Sequence, residues 1–151
     1  MLHNFVIYAL VLISTVRCSE EIKKAVDDAT CKGHDIDVSE EDMGVILECA
    51  SELGMKSKND INMEKMPCFS RCLIEKQGLV DHDGNLHKEK ILDLDKDSNL
   101  PQALKEDIRK HLGACLDEHG PTAKADDKSC KSFEPLTVCI HKAYLHVCAE
   151  A

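Results

Sequence analysis

The sequence predicts an all-α domain of about six helices. Apolar residues recur at spacings of three and four along most of the chain, no segment alternates apolar and polar as a half-buried strand would, and the breaks between periodic stretches are rich in Gly, Pro, Asn and Asp. At 151 residues the chain has room for one ordinary domain, and 43% hydrophobic residues can form a core. Nine cysteines are far more than a reducing compartment would use.

The first segment reads as a targeting signal. Phe5 to Val16 is an apolar run broken only by Ser14 and Thr15, too short and too near the N-terminus for a bilayer-spanning helix. Val16 and Cys18 are small enough for the −3 and −1 positions of a signal-peptidase site, so residues 1–18 are expected to be removed, leaving a domain over residues 19–151. Losing Arg17 takes the formal charge from −9 to −10, and losing Cys18 leaves eight cysteines, an even number that suits paired disulfides in a secreted chain.

The helices follow in order. Glu20 to Cys31 carries Ile22, Ala25 and Ala29 on one face. Ser39 with Asp42 resembles a capping box that opens Glu40 to Leu53, with Met43, Val45, Ile46 and Ala50 inward and Gly54 as the stop. Lys56 to Asn62 is a polar linker. Pro67 suits a first helical turn, and the helix it starts runs to Gly78. Asp81 to Asn85 is turn chemistry, and Leu86 to Leu94 a short helix. Asn99-Leu100-Pro101 starts a longer helix, stacked on Leu104, Ile108, Leu112 and Leu116 until Gly120. The last helix carries Phe133, Leu136, Ile140, Tyr144 and Val147, with Pro135 either in its first turn or at a kink.

Composition also excludes functions. An excess of 28 acidic over 19 basic residues, with 3% aromatics and no Trp, disfavours phosphate-backbone and single-strand partners, so no nucleic acid is expected. Nothing after residue 18 approaches a membrane span. No G-x-S-x-G, P-loop or H-E-x-x-H occurs, so neither an enzyme nor a cofactor is expected. An EF-hand loop needs Gly sixth and Glu twelfth. Counted from Asp93 those places hold Ser98 and Leu104, and from Asp81 Leu86 and Leu92, so these acids read as solvated turns. Cys139-x-His141 and His146-x-Cys148 could suggest zinc, but an oxidising compartment favours disulfides, and no metal is expected.

The eight cysteines are Cys31, Cys49, Cys68, Cys72, Cys115, Cys130, Cys139 and Cys148. Cys68 and Cys72 lie four apart and face the same way on a helix, so that helix is stapled to two other segments. The sequence alone leaves 105 pairings for eight cysteines.

Pro67-Cys68-Phe69, Cys72-Leu73, Glu75-Lys76 and Gly78-Leu79 together resemble the second-and-third-cysteine signature of the insect odorant-binding and pheromone-binding proteins. Asp83-Gly84, Leu86 and Glu89-Lys90 follow as that family's next segment does, then Leu112 to Cys115, Asp127 with Cys130, and Cys139. Taking Cys31 as the first cysteine completes a six-cysteine frame with intervals of 36, 3, 42, 14 and 8 residues. The long first interval is similar to that of ant pheromone-binding members. A frame starting at Cys49 leaves 18 residues before Cys68, short for the family.

The resemblance implies a fold of helices around an apolar ligand cavity, with interlocked bridges Cys31–Cys72, Cys68–Cys130 and Cys115–Cys139. Cys49 and Cys148 then fall outside the frame; a fourth bridge between them is expected, with two free thiols or an intermolecular bond as the alternative. The implied function is a secreted carrier of odorants or pheromones, its partner a small hydrophobic ligand. Candidate lining residues are Phe69, Leu73, Leu92, Leu104, Ile108, Leu112, Phe133, Leu136, Ile140 and Tyr144, with the Tyr144 hydroxyl offered to a ligand's polar end. Plain core packing is the competing role for each. The resemblance leaves open a homodimer and contact with an olfactory receptor. The rival function keeps the fold but makes the chain an interaction protein or general carrier of venom or haemolymph.

The cleavage reading has a direct check. Expressed in a secreting host, the chain is expected to begin at Ser19, and N-terminal sequencing that finds another start overturns it.

Overall fold

The computed structural model describes residues 19–149, so the expected signal segment, residues 1–18, lies outside the described residues. Six helices and a two-residue hairpin make up the regular structure among them: α1 (residues 19–27), β1 (Thr30–Cys31), β2 (His34–Asp35), α2 (Glu40–Glu52), α3 (Met66–Lys76), α4 (Lys88–Leu92), α5 (Gln102–His119) and α6 (Glu134–Cys148). Single 3₁₀ turns at Lys58–Asp60, Gly120–Thr122 and Lys131–Phe133 punctuate the connections.

The local chemistry sets the helix ends. The Ser39 hydroxyl accepts the Asp42 N–H at 3.1 Å, and Glu40, Glu41 and Asp42 put negative charge at the positive end of the α2 dipole. α2 and α3 end in the same way. Gly54 and Gly78 sit at φ of +64° and +66°, which lets the Met55 N–H reach the Ala50 carbonyl at 2.8 Å and the Leu79 N–H reach Ile74 at 3.0 Å. Met55 and Leu79, the residues just past each glycine, are then buried against the helix they close. Pro101 stands immediately before α5, and Pro135 lies in the first turn of α6, where its missing N–H costs nothing.

The first predicted helix is shorter than its periodicity suggested. Residues 30–31 leave the helix and pair with His34–Asp35 through a turn in which Lys32 and Gly33 both have positive φ, the geometry that matches strand twist in a two-residue hairpin. The polar linker likewise holds a 3₁₀ turn, capped by Ser57 and Asp60.

Three apolar clusters form the interior. One joins Leu79, Ile91, Leu92, Leu116, Phe133 and Leu136 where α3, α4, α5 and α6 meet. A second gathers Leu100, Val147, Cys31 and Cys148, with Ile36, Leu104 and Ile108 against it. The third packs Ile22, Ala50 and Met55, covered by Phe69 and residues of α2.

Four disulfides cross-link these parts: Cys31–Cys148, Cys49–Cys72, Cys68–Cys130 and Cys115–Cys139. The Cys68 and Cys115 bridges are those the resemblance implies, while the expected Cys31–Cys72 and Cys49–Cys148 pairs are exchanged. Packing dictates the exchange, because a bridge needs its Cα atoms within about 7 Å. α2 lies along α3 and sets Cys49 at 5.8 Å from Cys72, with the Lys76 ammonium 2.9 Å from both Glu48 and Glu52 across the same seam. The hairpin instead lies against the end of α6, where Cys31 and Cys148 have Cα atoms 4.3 Å apart and the Lys32 N–H donates to the Cys148 carbonyl. The interlocked pattern therefore starts at Cys49, with 18 residues before Cys68. The 36-residue interval behind the likeness to ant members is no longer part of the frame. In the chain-entropy model, bridges at separations of 117, 62, 24 and 23 residues each contribute about 3–5 kcal/mol.

Asp127 organises the loop that presents Cys130. Its carboxylate accepts from the Ser129 hydroxyl at 2.7 Å and from the N–H groups of Ser132 and Ser129 at 2.9 and 3.0 Å. Cys130 is thereby held at φ +61°, where a side chain rarely sits. The same bonds hold the Asp127 carboxyl far below the usual carboxylate range, the Ser129 hydroxyl contributing most. A depressed carboxyl stabilises the fold above its unfolded-state pKa of ~3.9 and loses that contribution as pH falls toward its native value. Asp127→Asn is therefore expected to lower Tm at neutral pH, with the gap to wild type narrowing as the pH drops below about 4. A gap that stays constant in thermal melts down to about pH 2 contradicts this assignment.

Candidate functional site

Between α5 and α6 lies a partly open cavity of about 130 Å³. α5 contributes Ile108, His111 and Leu112, and α6 contributes Ile140, Ala143, Tyr144, Val147 and Cys148. Each set is one helical face at spacings of three and four, so the two faces meet along the seam. Ala143 is the smallest side chain on the α6 face. Carbon forms nearly all of the wall.

Most of the polar groups around this wall are committed to the protein, His111 Nε2 being the exception. The Tyr144 hydroxyl donates to the Thr30 carbonyl at 2.7 Å, fastening the hairpin to α6. His111 Nδ1 lies 2.9 Å from the Asp107 carbonyl and 3.2 Å from its carboxylate, both acceptors only, so Nδ1 carries the proton in the neutral ring. Beyond it the His146 ring is tilted against His111 at 5.1 Å between centroids. Cys148 is bonded to Cys31 and carries no S–H.

The structure gathers Ile108, Leu112, Ile140 and Tyr144 of the sequence candidates around this cavity. The remaining candidates lie elsewhere. Leu92, Phe133 and Leu136 belong to the first cluster, the last two at 0% and 1% exposure. Leu104 packs on the second cluster and Phe69 on the third, while Leu73 is half-buried on α3. Tyr144 takes a different part from the one expected: its ring is wall, but its hydroxyl already has a backbone partner. His111, Ala143, Val147 and Cys148 were not among the candidates. All four fall on the stripes that picked out Ile108 and Ile140, so helical spacing was the signal available for them.

Two other hollows have a different character. A shallow groove of about 480 Å³ over α4 and α5 is edged by Lys88, Arg109 and Asp117. Arg109 spans it to Asp93 at 2.8 Å and Glu89 at 3.5 Å, and Lys88 pairs with Asp117. A hollow of about 200 Å³ beside Cys68 and Cys72 is lined by Glu52, Arg71, Glu75 and Lys76. The groove also has Leu92, Gly113 and Ala114 in its floor, so of the two only the second hollow is walled mainly by ion-paired side chains. Among the described residues no three His, Cys, Asp or Glu side chains are grouped to hold a metal ion, and no helix is long and apolar enough to cross a membrane. The Asp81 carboxylate instead accepts the N–H groups of Asp83 and Asn85, both at 2.9 Å, and closes its own turn.

In comparison with known families, the model described as the PBP/GOBP family fits residues 16–143, most of the chain. No curated protein and no solved structure matches significantly.

Tyr144→Phe separates the two roles of this side chain. It removes the bond to Thr30 and keeps the ring, and is expected to cost about 1 kcal/mol of stability in denaturant unfolding. An unchanged midpoint would mean that the disulfide and the Lys32–Cys148 backbone bond hold the hairpin without help from the Tyr144 hydroxyl.

Proposed function

The chain belongs to the PBP/GOBP family, the insect odorant- and pheromone-binding proteins, which carry small hydrophobic ligands, and from this premise we propose that it is an exported carrier of odorants or pheromones for chemosensory reception. The observation that carries the proposal is the apolar cavity between α5 and α6. We assign ligand contact to Ile108, Leu112, Ile140 and Tyr144, joined by His111, Ala143 and Val147. Cleavage after Cys18 supplies the route out of the cell, and under this reading the ligand is handed on at an olfactory receptor.

Magnitudes fit a carrier. Each buried methylene gains ~0.8 kcal/mol, so an apolar end of six carbons gains ~5 kcal/mol before the cost of association. Contacts of the remaining ligand at the mouth raise this toward the ~8 kcal/mol of a micromolar complex. That strength allows loading from dilute solution and release without a large barrier.

The test is titration of the secreted, oxidised protein with an environment-sensitive apolar dye, followed by competition with long-chain alcohols, esters and fatty acids. The absence of Trp keeps the emission background low. Saturable binding of order 1–100 μM, displaced by these compounds, is the expected result. A folded protein with four intact disulfides that takes up no dye overturns the carrier reading. Immunolabelling then addresses the chemosensory part: signal in antennal sensilla supports it, and signal confined to gland or fat body removes it.

A further inference from the structure

The cavity wall is carbon, and most of the polar atoms nearest it are already used: the Tyr144 hydroxyl by Thr30, His111 Nδ1 by Asp107, and the Cys148 sulfur by Cys31, while His111 Nε2 keeps a lone pair but adds almost no surface to the wall. A hydroxyl or carbonyl placed inside would leave water without gaining a partner, a loss that lowers affinity about tenfold or more. A polar group at the open side stays hydrated and loses little. The volume sets the size of what enters, since an apolar cavity of ~150 Å³ holds one benzene and stays dry when empty.

We propose that this cavity selects its ligand by a compact apolar end of about benzene size and does not read the polar head at the other end. The inference rests on the carrier reading and narrows it to a ligand class: molecules with one unfunctionalised end, such as phenyl, a branched terpenoid terminus or a short alkyl tail, carrying any small head group. Ala143 is the specificity-determining residue, because its single methyl leaves the space that a larger side chain from α6 would occupy.

A matched series tests this by calorimetry or ligand-observed NMR on the oxidised protein. Benzyl alcohol, benzaldehyde and benzyl acetate share the phenyl end and differ in head, and are expected to bind within about fivefold of one another. 4-Hydroxybenzyl alcohol carries a hydroxyl on the end that must be buried, and is expected to bind at least about tenfold more weakly than benzyl alcohol. Ala143→Leu is expected to lose the whole benzyl series while keeping four disulfides and wild-type helical circular dichroism. Heads that separate the series by more than about tenfold, or a tolerated ring hydroxyl, overturn the inference and leave the carrier reading intact. Benzyl binding that survives in folded Ala143→Leu removes the role given to Ala143. If neither the benzyl series nor the apolar dye binds, the carrier reading falls as well. Dye binding without benzyl binding overturns this inference alone.

Discussion

α6 is pinned at two points nine residues apart, by Cys139 to Cys115 of α5 and by Cys148 to Cys31 of the hairpin. Between the pins lie Ile140, Ala143, Tyr144 and Val147, the whole α6 contribution to the cavity apart from Cys148 itself. An unrestrained helix pair would slide or tilt until its side chains interdigitated, because empty apolar space forfeits dispersion contacts. Here the covalent ties set the spacing, and the small Ala143 leaves the gap. The hydrogen bonds from Tyr144 to Thr30 and from Lys32 to Cys148 brace the second pin.

The same logic accounts for three modest clusters rather than one large core. Each holds or adjoins a cystine: Cys115–Cys139 lies in and against the first cluster, Cys31–Cys148 within the second, and Cys49–Cys72 runs from α2 to α3 beside the third. Cross-links that restrict the unfolded chain take over stability that a small domain would otherwise need from packing. Surface ion pairs such as Lys23–Asp27 are exposed on both sides and add little. The turn carboxylates matter in another way. Asp60, Asp81 and Asp127 each accept N–H groups of their own loops, which lowers their pKa values and fixes the connections between helices.

Much of the fold was legible because helix ends are chemically local. The Ser39 cap, Gly54 and Gly78, Pro101 and Pro135 all mark boundaries that the backbone honours. The hairpin was missed because Glu20 to Cys31 keeps helical spacing up to Ala29, and only Lys32-Gly33 signals the turn that ends it. Cysteine pairing was less legible still. Interval lengths favoured Cys31 as the start of the frame, but partners are decided by which helix faces lie together, and α2 on α3 brings Cys49, not Cys31, to Cys72. The site was half legible. Periodicity separates inward from outward residues, yet Leu136 and Ile140 occupy neighbouring turns of one face and part ways: Leu136 is core at 1% exposure, while Ile140 packs on the edge of that cluster and also lines open space. A void is a property of how two surfaces fit, and no single helix encodes it.

The arrangement also bears on how such a protein can change over generations. The cavity is drawn from two faces within residues 108–148, and its lining includes only one cysteine, Cys148. Substitutions at Ile108, Leu112, Ile140 or Ala143 reshape the space at some cost to the clusters these residues also pack on, and leave the helix caps and the Asp127 loop in place. A duplicated copy can therefore drift toward a new ligand while its scaffold stays under constant selection. Covalent ties that hold a helix pair in place while its facing residues vary are the condition under which one architecture diversifies into many receptacles.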